Sequence, residues 1–148
     1  MKVHREKLQI ATKGPYDIID ITADVEKALI ESGIDEGYAL VFSGHTTCGV
    51  LIQERETGLL ADIQTALSRL IPSVGYYRHN DMDIRTENLH DDEPGNAHAH
   101  IRQIIGGRSS ESVPVAEGAL QLGVWQRITV IEFDEARDRQ ISIQVCGI

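Results

Sequence analysis

The chain is short of cysteine, of basic charge and of long apolar runs, and each shortage removes a class of protein. Only two cysteines, Cys48 and Cys146, occur in 148 residues. They lie far apart, show no paired zinc-ligand spacing and fall in strand-like segments, which fits small buried thiols. No apolar stretch approaches the ~20 residues that cross a bilayer, so no membrane partner is expected. The charged opening, residues 1–7, has no apolar core behind it, and a cytoplasmic protein is therefore expected. A formal net charge of −9 leaves no basic face for a phosphate backbone and argues against nucleic acid as a partner. A Walker-type glycine loop and a glycine–serine nucleophile elbow are also missing.

What is present is ordinary for a globular chain: 41% hydrophobic and 25% charged residues, at a length that suits one domain over 1–148. Residues 3–12 and 16–21 read as strands around a turn at Lys13-Gly14-Pro15, which predicts a hairpin. Thr22 is placed to cap a helix to about Glu31, stopped by Ser32-Gly33. Residues 58–71 carry the clearest helical stripe, ended by Pro72. A short strand is expected over 73–78. From Asn96 to about Gly106 a helix is predicted with Ile101, Ile104 and Ile105 inward. The remainder reads as sheet: an edge strand at Val113-Pro114-Val115, then strands over 122–133 and 139–146 joined as a hairpin by residues 134–138. The fold class is α+β, with strands dominant and about three helices packed on or between them.

The chain is organised around residues 43–54, where Ser43-Gly44-His45-Thr46-Thr47 interrupts two apolar runs. Polar groups between buried runs need partners, since an orphan costs about 1–3 kcal/mol. This turn is read as the floor of a site. Strict alternation would put His45, Thr47 and Gln53 on one face and Thr46, Cys48 and Glu54 on the other. A bulge at Gly44 or Gly49 would be needed to join His45 with Glu54.

Four of the six histidines, His79, His90, His98 and His100, cluster in or beside a polar loop. Imidazoles suit zinc-like ions, and three plus water make a catalytic centre. In a strand His98 and His100 would share a face. In a helix they point about 200° apart, so both could ligate one ion only if the helix begins after them, and otherwise they serve as alternatives. Asp81, Asp83, Asp91 and Asp92 in the same loop suit magnesium, although a solvated charge run is the plainer reading. Arg137 and Arg139 flank the final turn and suit a phosphate. Trp125-Gln126 could wall a flat ring.

On these motifs the chain resembles the YjbQ family, also called UPF0047. The match rests on Gly44-His45-Thr46-Thr47 with its closing Glu54, Tyr77-Arg78-His79-Asn80, and Asn96-Ala97-His98-Ala99-His100. It continues through Gly118-Ala119-Leu120-Gln121-Leu122-Gly123-Val124-Trp125-Gln126 and residues 132–139. Gly44 stands where family members commonly have proline, and Val124 where they have threonine. The resemblance implies two packed, mostly antiparallel sheets with helices, assembled as a homotrimer. It implies a histidine-lined site for a metal or anion, with His45, His79 and His100 at matching positions. It also implies a secondary thiamine-phosphate synthase activity, joining a pyrimidine diphosphate to a thiazole phosphate with loss of pyrophosphate.

The expected function is therefore a small-molecule enzyme on a phosphorylated substrate. His45 and Glu54 would act at the reacting centre, Thr46, Thr47, Trp125, Gln126, Arg137 and Arg139 would bind substrate, and His45, His79 and His100 (or His98) would hold a divalent zinc or magnesium ion. A zinc-type hydrolase and a non-enzymatic ligand-binding trimer are the alternatives.

Overall fold

A computed structural model describes all residues 1–148, and its two antiparallel sheets are traced by a chain that repeatedly passes from one to the other. The elements are β1 (Lys2–Ala11), β2 (Ile18–Asp20), α1 (Thr22–Ser32), β3 (Gly37–Ser43), β4 (Cys48–Glu54) and α2 (Thr57–Leu70). A 3-10 turn at Arg78–Asn80 precedes α3 (Ala97–Gly106), β5 (Ser110–Ala116), β6 (Ala119–Leu120), β7 (Gln126–Glu132) and β8 (Asp138–Gly147). The larger sheet has the order β1-β8-β3-β5-β6 and the smaller the order β2-β7-β4. The architecture is the expected α+β arrangement.

Period-two burial explains the layers. Val41 of β3, Val113 of β5 and Ile141, Ile143 and Val145 of β8 point from the larger sheet into one core. Val50, Ile128 and Val130 meet them from the smaller sheet, and α1 adds Val25, Ala28 and Leu29. The opposite face of the smaller sheet carries Ile131, and Leu67, Ile71, Ala99 and Phe133 complete a second core there. The smaller sheet is thus buried on both sides, between the larger sheet and the α2–α3 pair.

Both predicted hairpins are corrected. β1 pairs with β8 from Lys2↔Gly147 to Ala11↔Asp138, whereas β2 pairs with β7 in the other sheet. β7 likewise pairs with β4, from Cys48↔Glu132 to Glu54↔Gln126, and not with β8. Residues 12–17, 44–47 and 133–137 are therefore corners between sheets. Periodicity identifies strands but not the sheet each one joins, and a short polar link serves a corner as well as a hairpin.

One buried carboxylate ties these corners together. Glu132 is fully buried and accepts from Arg139 Nε and Nη2, both at 2.6 Å. It also accepts from the Thr12 hydroxyl at 3.0 Å and from the Phe133 and Asp134 amides at 3.1 and 3.0 Å. Arg139 Nη2 donates in addition to Thr47 Oγ1 at 2.9 Å. Thr12 and Thr47 belong to two corners and the Phe133 and Asp134 amides to the third, so one ion pair fixes how the sheets are joined.

The helices need three further corrections. Residues 73–77 form no strand. Thr22 does not cap α1 with its side chain; Asp20 Oδ1 accepts from the Thr22 amide at 2.9 Å, and the Thr22 hydroxyl accepts from Ile128 N. In α3 the buried side chains are Ala97, Ala99, Arg102 and Gln103, while Ile104 and Ile105 are 76% and 56% exposed. Small residues decide this face: a Cβ on Gly106 would lie 2.7 Å from Leu67 Cδ1. Arg102 turns inward to donate to the Ile71 carbonyl at 3.0 and 2.7 Å and lies 5.0 Å from the Tyr16 ring centroid. Past α3, a Cβ on Gly107 would sit 3.2 Å from Gly49 Cα, and this closeness lets Arg108 bridge to Val50.

Removing one partner of a buried ion pair strands the other charge. Glu132→Gln should lower unfolding free energy by about 3–5 kcal/mol, read from urea denaturation. Adding Arg139→Met to it should cost less than the sum of the two single changes; strict additivity would argue against the pair acting as a unit.

Candidate functional site

The corners close at one end of the sandwich, and there they meet α3 and the loop that precedes it. The loop is held by Arg85, which donates to the carbonyls of Glu87 at 3.0 Å, His79 at 3.2 Å and Asn88 at 2.7 Å. The same guanidinium reaches Glu93 Oε1 at 2.8 Å, and this bond holds the Glu93 carboxyl below its usual range. Asn80 Oδ1 then accepts from the Ala97 amide at 3.0 Å, satisfying a free donor in the first turn of α3. Asn96 Nδ2 donates to Asp134 at 3.0 Å, tying the helix start to the third corner. Burial would raise the Asp134 carboxyl, but hydrogen bonds from Asn96, the Glu135 amide and Arg137 outweigh it and lower it.

Between these parts lies a cavity of about 590 Å³ whose lining includes no hydrophobic side chain. Its walls bring together Thr46, Thr47, His79, His90, Asp92, His100, Arg137 and Arg139 from the residues singled out in the sequence. Arg85, Asn88, Glu93, Pro94, Asn96 and Asp134 complete it. The His79 and His100 rings meet edge to face with centroids 4.8 Å apart. Burial lowers the His100 pKa, the neighbouring His79 lowers it further, and a hydrogen bond with the Thr46 backbone opposes both.

The other candidates lie apart. His45 does not line the cavity; its Nε2 accepts from the Gln140 amide at 3.1 Å. Burial, then Arg139, lowers its pKa, so this imidazole is held neutral as a tie between the second corner and β8. The chain is already out of the strand at His45, so alternation does not apply there. Glu54 and Gln126 are register partners at the opposite end of β4 and β7, about 20 Å along the strand from Cys48. Trp125, beside them, is 72% exposed. His98 also lies off the cavity wall, with its Nδ1 buried and unpartnered. His45, His79 and His100 are accordingly not a three-ligand set within one chain. Of the loop aspartates only Asp92 faces the cavity, while Asp81 accepts from Tyr76.

Three polar atoms on the cavity wall are buried without a hydrogen-bond partner: His79 Nε2, Glu93 Oε2 and Asn96 Oδ1. His79 Nε2 lies 3.4 Å from Glu93 Oε1 without a hydrogen bond to it, and that oxygen already accepts from Arg85. Such atoms are costly unless something pairs with them. Sequence reading missed Glu93, Asn96 and Arg85, because their roles depend on how the loop folds back on itself. The one available signal was the length of the polar loop, which marks a functional segment more often than a structural one.

Comparison with known proteins agrees with this fold. A family model described as UPF0047 protein YjbQ-like matches residues 6–148. A UPF0047 protein of Methanothermobacter thermautotrophicus is 37% identical over 147 residues, covering 99% of this chain and 94% of its own. The UPF0047 protein YugU of Bacillus subtilis is 36% identical over 140 residues, covering 95% and 97%. Among solved structures, a YbjQ-like protein of unknown function from Sulfolobus solfataricus superposes with a TM-score of 0.85 at 31% identity, covering 99% of both chains. A YjbQ/UPF0047 protein from Clostridium acetobutylicum gives 0.77 at 35% identity, covering 96% and 98%. With the match running nearly end to end in both sequence and fold, the chain belongs to the YjbQ/UPF0047 family.

Proposed function

We propose that the cavity at the sheet corners binds a small phosphorylated molecule and serves a group transfer of the thiamine-phosphate synthase type. The observation that carries this reading is the set of unpartnered atoms, His79 Nε2, Glu93 Oε2 and Asn96 Oδ1, in a cavity also lined by Arg137 and Arg139. Arginine presents a planar fork that suits phosphate oxygens, and Glu93 and Asn96 offer acceptors to an amine, amide or hydroxyl. A ligand with an anionic group at one end and donors at the other would satisfy both walls.

In the transfer, Arg137 would stabilise the charge that develops on departing pyrophosphate, with Thr46 and Thr47 holding its oxygens. Arg139 is committed to Glu132 and orients Thr47 rather than acting freely. His100, beside Thr46, is placed to donate or accept a proton at the leaving group. A divalent ion fits this site through His79, whose Nε2 is orphaned beside Glu93, with His100 adjacent; it would supply Lewis acidity at the pyrophosphate. The homotrimer belongs to the same proposal: Ile104 and Ile105 of α3 with Leu70 of α2 are exposed large apolar side chains on the helical side, in keeping with subunit contact.

These assignments give three expected outcomes. Inorganic pyrophosphate should bind the protein measurably by calorimetry, and Arg137→Ala should weaken it at least tenfold, about 1.4 kcal/mol, while exposed Arg108→Ala leaves it unchanged. Equal affinities in all three proteins would remove the phosphate assignment. Light scattering should give three times the 16.4 kDa chain mass, and Ile104→Lys should shift it downward. The third outcome concerns pH. The folded-state pKa of His100 is depressed below the ordinary 6.5, so the unfolded chain binds more protons as pH falls through that value. Its contribution is therefore present above the ordinary value and lost on acidification. Melting temperature should drop between about pH 7.5 and about pH 5.5, with a shallower slope in His100→Asn; an unchanged slope would show that this imidazole is not buried as described.

A further inference from the structure

We propose that His4, Glu6 and Glu31 form a divalent-cation site of the zinc class that staples the edge strand β1 to the end of α1. His4 and Glu6 stand two apart on β1 and so share one face of the strand. That face is the inward one: the row continues through Leu8 and Ile10, which pack against the main core. Their register partners on β8, Val145 and Ile143, are core residues. An apolar row therefore becomes imidazole and carboxylate at its outer end, where α1 crosses it. The last turn of α1 delivers Glu31 to the same spot, and the ligand atoms of all three residues lie within 4.8 Å of one another. His4 Nε2 and Glu6 Oε1 are already 3.2 Å apart, a spacing suited to two ligands on one ion.

The donor set identifies the class of ion. One imidazole nitrogen with two carboxylate oxygens is a three-ligand arrangement that zinc accepts, leaving a position for water. Magnesium and calcium prefer oxygen throughout, so the imidazole disfavours them. The ligand oxygens of Glu6 and Glu31 lie within 4.8 Å of each other, and two like charges that close are relieved by a cation. Lys27 meets Glu31 Oε1 at 3.6 Å, but its side chain is 68% exposed and free to swing aside. Arg5 and Lys7 point to the opposite face of β1, where Arg5 is bonded to Gln144. Both cysteines are buried, and burial pushes the Cys48 thiol up to about 11, which disfavours it as a competing thiolate ligand.

The test is zinc titration by calorimetry on the full chain after chelator treatment, with melting temperature read alongside. A His79→Ala/His100→Ala background separates this site from the cavity. One equivalent of zinc is expected to bind there at micromolar or tighter affinity and to raise the melting temperature. Glu31→Gln, on an exposed side chain that leaves the fold intact, should weaken binding at least tenfold and abolish the thermal shift; His4→Ala should do the same. Lys27→Gln should retain or tighten binding. An isotherm identical in the Glu31→Gln protein, or wild-type affinity no better than millimolar, would overturn the assignment and leave only diffuse attraction to an acidic surface.

Discussion

The carboxylate of Glu132 is the interaction on which the rest depends. A charge with no exposure must be matched on every lone pair, or its desolvation exceeds what pairing returns. Here a two-point bond from Arg139, one hydroxyl and two backbone amides supply that match. The donors come from β8 and from two of the segments that pass between sheets. Arg139 then reaches onward to Thr47 in the remaining one. Neutral side chains could fill the same volume, but they would not impose one relative placement of three corners. Polar specificity is a coherent reason for tolerating such a pair in an otherwise apolar interior.

That placement is also what creates the cavity. The corners contribute Thr46, Thr47, Asp134 and Arg137, the start of β8 adds Arg139, and the far wall is a loop held by Arg85. Four hydrogen bonds from one guanidinium pin three carbonyls and a carboxylate. A wall so constrained is preorganised, and ligand association then sacrifices less conformational freedom. The polar lining has the same origin, because both walls are built from segment ends whose apolar residues face the two cores.

Much of the fold was legible in the sequence because burial imposes a period. The stripe from Leu59 to Ile71 gave α2 almost to its ends, and alternation located the long strands. What periodicity lacks is partner choice, which is why both supposed hairpins proved to be crossings. It also misjudged α3, where alanines and glycines win the inward positions by allowing close approach and two isoleucines are left outside. In the site, Thr46, Thr47, His79, His100, Arg137 and Arg139 were visible as polar residues in unusual settings, and the structure gathers them. His45 and Glu54 seemed joined because they bracket one segment. A strand separates its ends, however, and nothing in sequence spacing reveals that distance unless the element is known to be extended.

The crossings between sheets have a consequence for how the protein comes into being. Thr12 and Glu132 meet across 120 positions of chain, and Thr47 and Arg139 across 92. Contacts so remote close late and slow the search for the native topology. The cavity cannot exist until these contacts have closed, since its floor is made of them. Recognition of a ligand by this protein would then report that the whole molecule has folded, with no half-built version able to imitate it.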